Sequence, residues 1–279
     1  MKLGVGIFPT DLSISPVTLA KAAEDRGFES FWVPEHSHIP LSETAFPGGR
    51  EVGEMYKRSL DPFVVLAAVA AVTSSIRIGT GICLVVQRDP IITAKEVASI
   101  DVLSGGRFMF GVGGGWNRAE MADHGTDPST RFALMAERIA AMKAIWTSDT
   151  PSYHGRFVSF DPMYCWPKPV QSPHPPVLVG GNGPRTLERV VEYGDEWMPN
   201  AFGASAFADR IASLQSLASA AGRAPIPVSA FGCRPDPAAV ARYADIGVTR
   251  CTFWMPSDGA DVVLPMLDDL AEKMGAWLT

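Results

Sequence analysis

From residue 3 to residue 274, short apolar runs alternate with longer amphipathic stretches, and this alternation restricts what the chain can fold into. Strands joined through helices run parallel, and the helices must then cover the sheet. Runs of strand length occupy residues 3–8, 30–34, 76–82, 107–113, 176–180, 196–199, 226–231 and 249–255. Helix-like stretches follow them at 16–26, 61–73, 94–103, 131–146, 184–193, 205–221, 237–246 and 261–274. Punctuation agrees: Pro16, Pro62, Pro184 and Pro237 stand at or near first-turn positions, and Gly27, Gly194, Gly222 and Gly247 just past helix ends. Eight strand–helix pairs fit a closed (β/α)8 or TIM barrel better than an open doubly wound sheet, which commonly has about five or six strands. At 279 residues, 47% of them hydrophobic, the chain has the usual size of one such barrel, so residues 1–279 are read as a single α/β domain. The two longest interruptions are residues 37–60 after strand two and 147–175 after helix four. Loops of that size are usually lids or binding segments, so substrate contacts are expected in both.

Charge narrows the partners. With 24 Lys+Arg against 30 Asp+Glu and no basic block, the formal charge of −6 gives no attraction to nucleic acid or an anionic membrane. A small-molecule substrate is expected, together with a homodimeric assembly. Cys83, Cys165, Cys233 and Cys251 show no C-x-x-C spacing and sit in or beside apolar runs, which reads as reduced buried thiols in a cytoplasmic protein. The opening MKLGVGIF runs straight into a strand pattern, so neither a signal peptide nor a membrane anchor is expected there. The apolar run 66–72 is far shorter than the roughly 20 residues that span a bilayer.

In a barrel the chemistry lies where strands end. Strand five ends in Gly180-Gly181-Asn182-Gly183 with Pro184 opening the next helix, an arrangement that leaves backbone N–H groups free to hold a phosphate. The same run also satisfies a tight β-α turn. After strand four, Gly111, Gly113, Gly114 and Gly115 let backbone approach a flat ligand, with Trp116 lining the pocket; turn geometry and core packing account for them equally well. His36 is the best titratable candidate, since an imidazole gives or takes a proton near neutral pH. Glu35 beside it points to the opposite face of the strand and need not touch it. His38 completes an H-x-H pattern that opens a metal-hydrolase reading, but such a site needs about three protein ligands, and the ends of strands five and six offer none. No metal is therefore expected. His124, His154 and His174 are read as solvated or structural, and the charges of helix 131–146 as a solvated face. Among Arg50, Lys57, Arg58, Arg88 and Arg118, one or two are candidates for an anionic substrate or cofactor tail.

Taken together and in order, five segments resemble the luciferase-like monooxygenase superfamily, in particular its actinobacterial branch of coenzyme F420-dependent oxidoreductases. They are Val33-Pro34-Glu35-His36 with the following Ser-His-Ile-Pro; Ile78-Gly79-Thr80-Gly81; the run from Leu103 through Arg107 to Gly115-Trp116-Asn117; Tyr153-His154-Gly155-Arg156-Phe157 through Pro167 to Gln171; and Val179 to Arg185 leading to Gly194-Asp195-Glu196-Trp197-Met198-Pro199. The resemblance implies a coenzyme ring lying across the upper face, a non-prolyl cis peptide at Gly81–Ile82 supporting it, and a coenzyme phosphate at Gly181, Asn182 and Gly183. It also matches Glu35 to an acidic position contacting the deazaflavin head and His36 to a histidine beside the hydride-bearing carbon. One departure stands out: where the branch that oxidises sugar phosphates has a proton-transferring glutamate, this chain has Trp116. The nearest carboxylate, Glu120, lies about a helical turn further on and does not inherit that role. The expected function is hydride transfer with coenzyme F420, His36 handling the accompanying proton. An FMN-dependent monooxygenase is the alternative, because FMN shares the ring shape and the phosphate; a non-catalytic flavin-binding barrel is a third reading.

Overall fold

The computed structural model describes residues 1–278, and in it eight parallel strands wind into a barrel with a helix after each. In chain order these are β1 (Lys2–Gly6), α1 (Pro16–Asp25), β2 (Ser30–Val33), α2 (Pro62–Val72), β3 (Arg77–Thr80), α3 (Pro90–Leu103), β4 (Phe108–Val112) and α4 (Arg131–Thr147). The second half comprises β5 (Val177–Gly180), α5 (Thr186–Tyr193), β6 (Glu196–Met198), α6 (Ala204–Ala220), β7 (Ser229–Phe231), α7 (Pro237–Asp245), β8 (Arg250–Trp254) and α8 (Ala260–Met274). The ladder runs β6-β5-β4-β3-β2-β1-β8-β7, with Gly4 of β1 opposite both Ser30 and Thr252. Between β6 and β7 the ring is closed by parallel bridges Trp197–Val228 and Asn200–Phe231, with the Trp197 N–H donating to the Pro227 carbonyl at 3.0 Å.

Three helices start on the same local device, an aspartate whose side chain accepts N–H groups of the first turn just before a proline that has no N–H to lose. Asp61-Pro62, Asp89-Pro90 and Asp236-Pro237 open α2, α3 and α7 in this way. Each such cap is worth about 1 kcal/mol. The pair Asp89-Pro90 also corrects the sequence reading of α3, which begins at Pro90 rather than at residue 94. The opposite error occurs at α5, which starts at Thr186, so Pro184 lies ahead of the N-cap residue Arg185 and not inside the first turn.

Trp32, Met109, Leu178, Met198 and Phe231 fill the barrel interior, apart from the larger apolar layer between strands and helices. At the N-terminal end Arg250, 3% exposed, donates to Glu29 at 2.8 Å and to Glu196 at 2.9 Å, so a buried ion pair network plugs that end. Burying such charges is costly unless each is paired, as these are.

Residues 147–175 also belong to this lower end and the flank. The Gln171 amide bonds the Asp101 carboxylate and the Phe108 carbonyl at 2.7 Å, and Lys168 Nζ caps the α4 terminus at the Ile145 carbonyl. A short hairpin, Tyr153–His154 against Ser159–Phe160, is tied to Glu137 of α4 through backbone N–H groups of its turn. None of these residues lines the cavities of the upper face, so the expectation of substrate contacts in this segment is overturned. Residues 37–60, by contrast, fold over the upper face. The insertion carries a short helix, Glu54–Lys57, and is pinned by Ser59 Oγ donating to the His36 carbonyl and by Glu43 accepting from Asn117 and Ala119.

All four cysteines are free and buried. No helix among the described residues is long and apolar enough to cross a membrane.

Candidate functional site

Two cavities of about 550 and 640 Å³ open on the C-terminal face and share a wall made of Gly81, Ile82, Gly115, Trp116, Asn200 and Trp254. Both fall in the usual size range of small-molecule sites. The Gly81–Ile82 peptide between them is cis.

The first cavity runs from this wall to the turn after β5. Gly180, Gly181 and Gly183 line it, while Asn182 faces away and stitches the ends of β5 and β6, its amide donating to the Asn200 carbonyl at 2.9 Å and accepting the Asn200 N–H at 3.1 Å. Gly181 has φ +115°, which favours glycine, and its N–H is spent on the Met198 carbonyl. The N–H groups of Asn182, Gly183 and Arg185 find no acceptor among the described residues. Arg210 on α6 donates to the carbonyls of Asn182 and Gly183 at 3.2 and 3.1 Å. A trans peptide points its C=O and N–H in opposite directions, so anchoring the Asn182 carbonyl turns the Gly183 N–H the other way. Free donors in front of a helix N-terminus form an anion site.

The glycines after β4 answer to protein neighbours. A Cβ on Gly113 would stand 2.3 Å from Ile82 Cδ1, and one on Gly114 would stand 2.9 Å from the Phe132 ring. Both residues line the first cavity, and their smallness makes room for Ile82 and Phe132, which line it too.

Sequence reasoning passed over the basic rim of this cavity. Arg131 at the first position of α4, and Arg185 and Arg189 at the start of α5, all line it. Arg131 and Arg189 both stand against the Phe132 ring, at 4.4 and 3.6 Å from its centroid. Burial lowers the Arg189 pKa, and the like charges of Arg185 and Arg131 press the same way. The signal was the position of Arg131 directly at a helix start, obscured by counting that helix's charges as a solvated face.

His36 belongs to the second cavity, with Phe8, Phe46, Tyr56, Trp116 and Trp254 around it. Its side chain is 6% exposed; Nδ1 lies 2.8 Å from Glu120 Oε2, and Nε2 accepts from the Trp116 indole N–H at 3.3 Å. An acceptor at Nε2 puts the ring proton on Nδ1, where it donates to the carboxylate. Glu120 is almost wholly buried and also accepts the Ser37 N–H at 3.0 Å. Burial alone would raise its pKa, but the hydrogen bond from His36, together with the Ser37 N–H, holds it below the ordinary carboxylate value. Glu120 is thus the partner that the sequence left unassigned. Its signal was Asn117-x-x-Glu120: Asn117 accepts the Glu120 N–H at 2.9 Å as N-cap of a short helix, Arg118–Asp123, which the sequence reading omitted.

Glu35 also lines this cavity, but its oxygens are engaged. Oε2 accepts the Leu84 N–H at 2.6 Å and Oε1 pairs with Arg88, whose other nitrogens reach Asp61 and Glu96. His38 points away from His36, to Asp123 at 3.0 Å, and no group of three or more His, Cys, Asp or Glu side chains able to hold a metal is found among the described residues. Of the basic residues singled out in the upper loops, Arg50 lines the second cavity against Phe46, and Lys57 and Arg58 pair with Glu54 and Asp11. Arg118 stands in a groove that adjoins the first cavity through Arg131.

The family model for luciferase-like monooxygenases matches residues 15–252. An uncharacterized protein of Mycobacterium tuberculosis is 40% identical over 280 aligned positions, covering 98% of this chain and 99% of its own. At 29% identity the chain also matches an FMNH(2)-dependent dimethylsulfone monooxygenase of Pseudomonas putida, over 76% of this chain and 56% of that one. An F420-dependent hydroxymycolic acid dehydrogenase of Mycobacterium tuberculosis is likewise 29% identical, over 87% of this chain and 66% of that one.

Proposed function

The chain belongs to the luciferase-like monooxygenase family, whose members are oxidoreductases, and on that footing we propose that it transfers a hydride between a deazaflavin, coenzyme F420, and a small organic substrate. The observation that carries this reading is the pair of joined cavities, one ending in free backbone donors and arginines, the other holding a buried histidine–carboxylate pair.

The residues present fit a flavin-type group. The N–H groups of Gly183 and Arg185 would hold its phosphate, Ile82 and Gly81 would support its ring, and Gly115 and Trp116 would border it. When bound, the coenzyme supplies or accepts the hydride, and the protein contributes position and electrostatics. The aromatic walls of the second cavity exclude water and favour an apolar or planar substrate. His36 Nε2 takes the proton from, or returns it to, the substrate oxygen once the substrate displaces the Trp116 indole N–H that donates to it at 3.3 Å. Glu120 fixes the tautomer and stabilises the imidazolium as it forms. Glu35, matched by resemblance to a position at the coenzyme head, acts by holding the backbone at Leu84 with Arg88, next to the cavity wall. The cytoplasmic location and homodimeric assembly expected from the sequence remain part of this proposal.

FMN is the second reading, favoured by the relationship to an FMNH(2)-dependent enzyme and by a turn that accepts the phosphate of either coenzyme. Absorbance spectra of the ligand released from protein purified from a deazaflavin-producing host test the proposal. A deazaflavin band supports it; a flavin band transfers the assignment to FMN; protein that binds neither refutes both.

A further inference from the structure

We propose that the second cavity selects alcohols or carbonyl compounds built on an aromatic ring that carries a carboxylate away from the reacting carbon. Arg50 and the Tyr56 hydroxyl hold the carboxylate, and His36 meets the oxygen at the other end. This rests on the substrate role given to that cavity above and deepens it.

The insertion after β2 brings three basic side chains to the upper face, and one of them is left uncommitted. Lys57 pairs with Glu54 and Arg58 with Asp11, whereas the Arg50 side chain makes no ion pair and no hydrogen bond among the described residues. Arg50 is exposed at the mouth of the second cavity and is set there by a tight hairpin. Ala45 bridges Glu51, the Phe46 N–H donates to the Arg50 carbonyl at 2.8 Å, and the Gly49 N–H donates to the Phe46 carbonyl at 2.9 Å. Gly48 and Gly49 at its tip have φ +105° and +86°, left-handed values that let the chain turn back so sharply. The hairpin puts the Arg50 guanidinium 4.8 Å from the centre of the Phe46 ring. Stacking of this kind orients the flat guanidinium and leaves its N–H edges free for a planar carboxylate.

Phe46 belongs to the aromatic lining of the cavity, 5.2 Å from Tyr56 and 4.7 Å from Trp116 between ring centres. Those two rings stand 5.4 and 5.6 Å from His36. A single ring thus separates the support of Arg50 from the imidazole on either route. The Tyr56 hydroxyl donates to nothing among the described residues. Burial pushes its pKa up while the charge of Arg50 works the other way, so it stays a protonated donor within the field of that guanidinium. The carboxylate of Glu35 opposes no anion here, because Arg88 neutralises it. The cavity therefore has polar groups at two poles and aromatic faces between them. One free cation in a chain of net charge −6 balances one negative charge, which a carboxylate carries and a phosphate monoester, at about two, exceeds.

The test is a tryptophan-fluorescence titration of the coenzyme-free protein with para-acetylbenzoate and with its neutral isostere para-acetylbenzamide; Trp116 and Trp254 line the cavity as reporters. The carboxylate is expected to bind about fivefold to twentyfold more tightly than the amide, as a charge-assisted hydrogen bond at a half-open site would give. Added salt should shrink that ratio. Arg50→Gln should bring the carboxylate to within about twofold of the amide and leave the amide unchanged, with Arg50→Lys between the two because it keeps the charge and loses the fork. Equal affinity of wild-type protein for the two probes, or a carboxylate preference that survives in Arg50→Gln, would overturn the assignment while leaving the substrate role of the cavity intact. Failure to bind either probe would overturn both.

Discussion

Replacing Glu120 by glutamine removes one charge while keeping shape, and it separates a proton-handling pair from a packing contact. The glutamine carbonyl can still accept the Ser37 N–H, now held at 3.0 Å, so the local backbone has no reason to move. Its NH₂ then faces His36 Nδ1, where the carboxylate stood at 2.8 Å. A donor there forces Nδ1 to become an acceptor, which shifts the ring proton to Nε2. Nε2 then carries a proton against the Trp116 indole N–H, a donor facing a donor, and has no lone pair left to accept a substrate proton when the indole is displaced. The charge-assisted hydrogen bond alone is worth about 1.5–3 kcal/mol, roughly ten- to a hundredfold in rate if it strengthens as the imidazolium forms. With the wrong tautomer added, turnover is expected to fall about a hundredfold or more, inside the 10²–10⁴ span of general acid–base help. Coenzyme affinity, set at the far end of the first cavity, is expected to stay within about threefold. Steady-state kinetics and coenzyme titration measure the two quantities, and nitrogen NMR of the imidazole reads the tautomer directly. A folded variant that keeps more than about a third of its turnover, or keeps the Nδ1–H tautomer, would refute the pairing as a functional device.

His36→Asn cannot titrate near neutral pH and is expected to lose about 10²–10⁴-fold in both kcat and kcat/KM with coenzyme binding nearly retained, measured by the same kinetics; an active variant returns His36 to packing. Gly183→Val tests the anion turn, because an added Cβ meets only Thr186 Oγ1 at 3.5 Å and the fold should survive, while coenzyme affinity is expected to fall tenfold or more in a titration. Glu24 provides a stability probe. Burial would raise its pKa, but N–H groups of Ser75, Ile76 and Ser74 outweigh that and hold it at about 2 against 4.5 unfolded, so its contribution is complete above pH 4.5 and lost as pH falls toward 2. Glu24→Gln is therefore expected to unfold at lower denaturant near neutral pH, by about 1–3 kcal/mol, with the difference from wild type shrinking in acid.

Every barrel strand was legible because a strand buried on both faces reads as an apolar run whatever its neighbours are. The turn after β5, which we propose holds the phosphate, was visible in the sequence for a related reason: a strand stopping in glycines before a helix has few conformations to choose from. Glu120 was not, since its role depends on a contact between positions 36 and 120 that no local pattern encodes. The same holds for Arg131, which looks like any solvated helix charge until α4 and α5 bring it beside Arg189 and Phe132. Residues 147–175 failed in the opposite direction. Their length suggested a lid, but Gln171 and Lys168 satisfy backbone carbonyls of the lower end and flank, so the length covers a surface instead of closing a site.

Glu35 and His36 follow Pro34 just past the end of β2 and both line the second cavity, but they are tied to different partners, Glu35 to Arg88 and the His36 ring to Glu120. Arg88 in turn reaches Asp61, the N-cap of α2, and Glu96 on α3, which fixes the end of β2 to two helices of the outer layer. His36 is therefore held from both sides: its backbone by the Glu35 anchor and by Ser59 at its carbonyl, its ring by Glu120 from the end of β4. A proton-transfer group must keep its geometry within a fraction of an ångström, and here three different segments over-determine one imidazole. Losing Glu120 would leave His36 in the cavity with its ring held only by the Trp116 indole N–H. Binding and turnover should therefore separate in such variants.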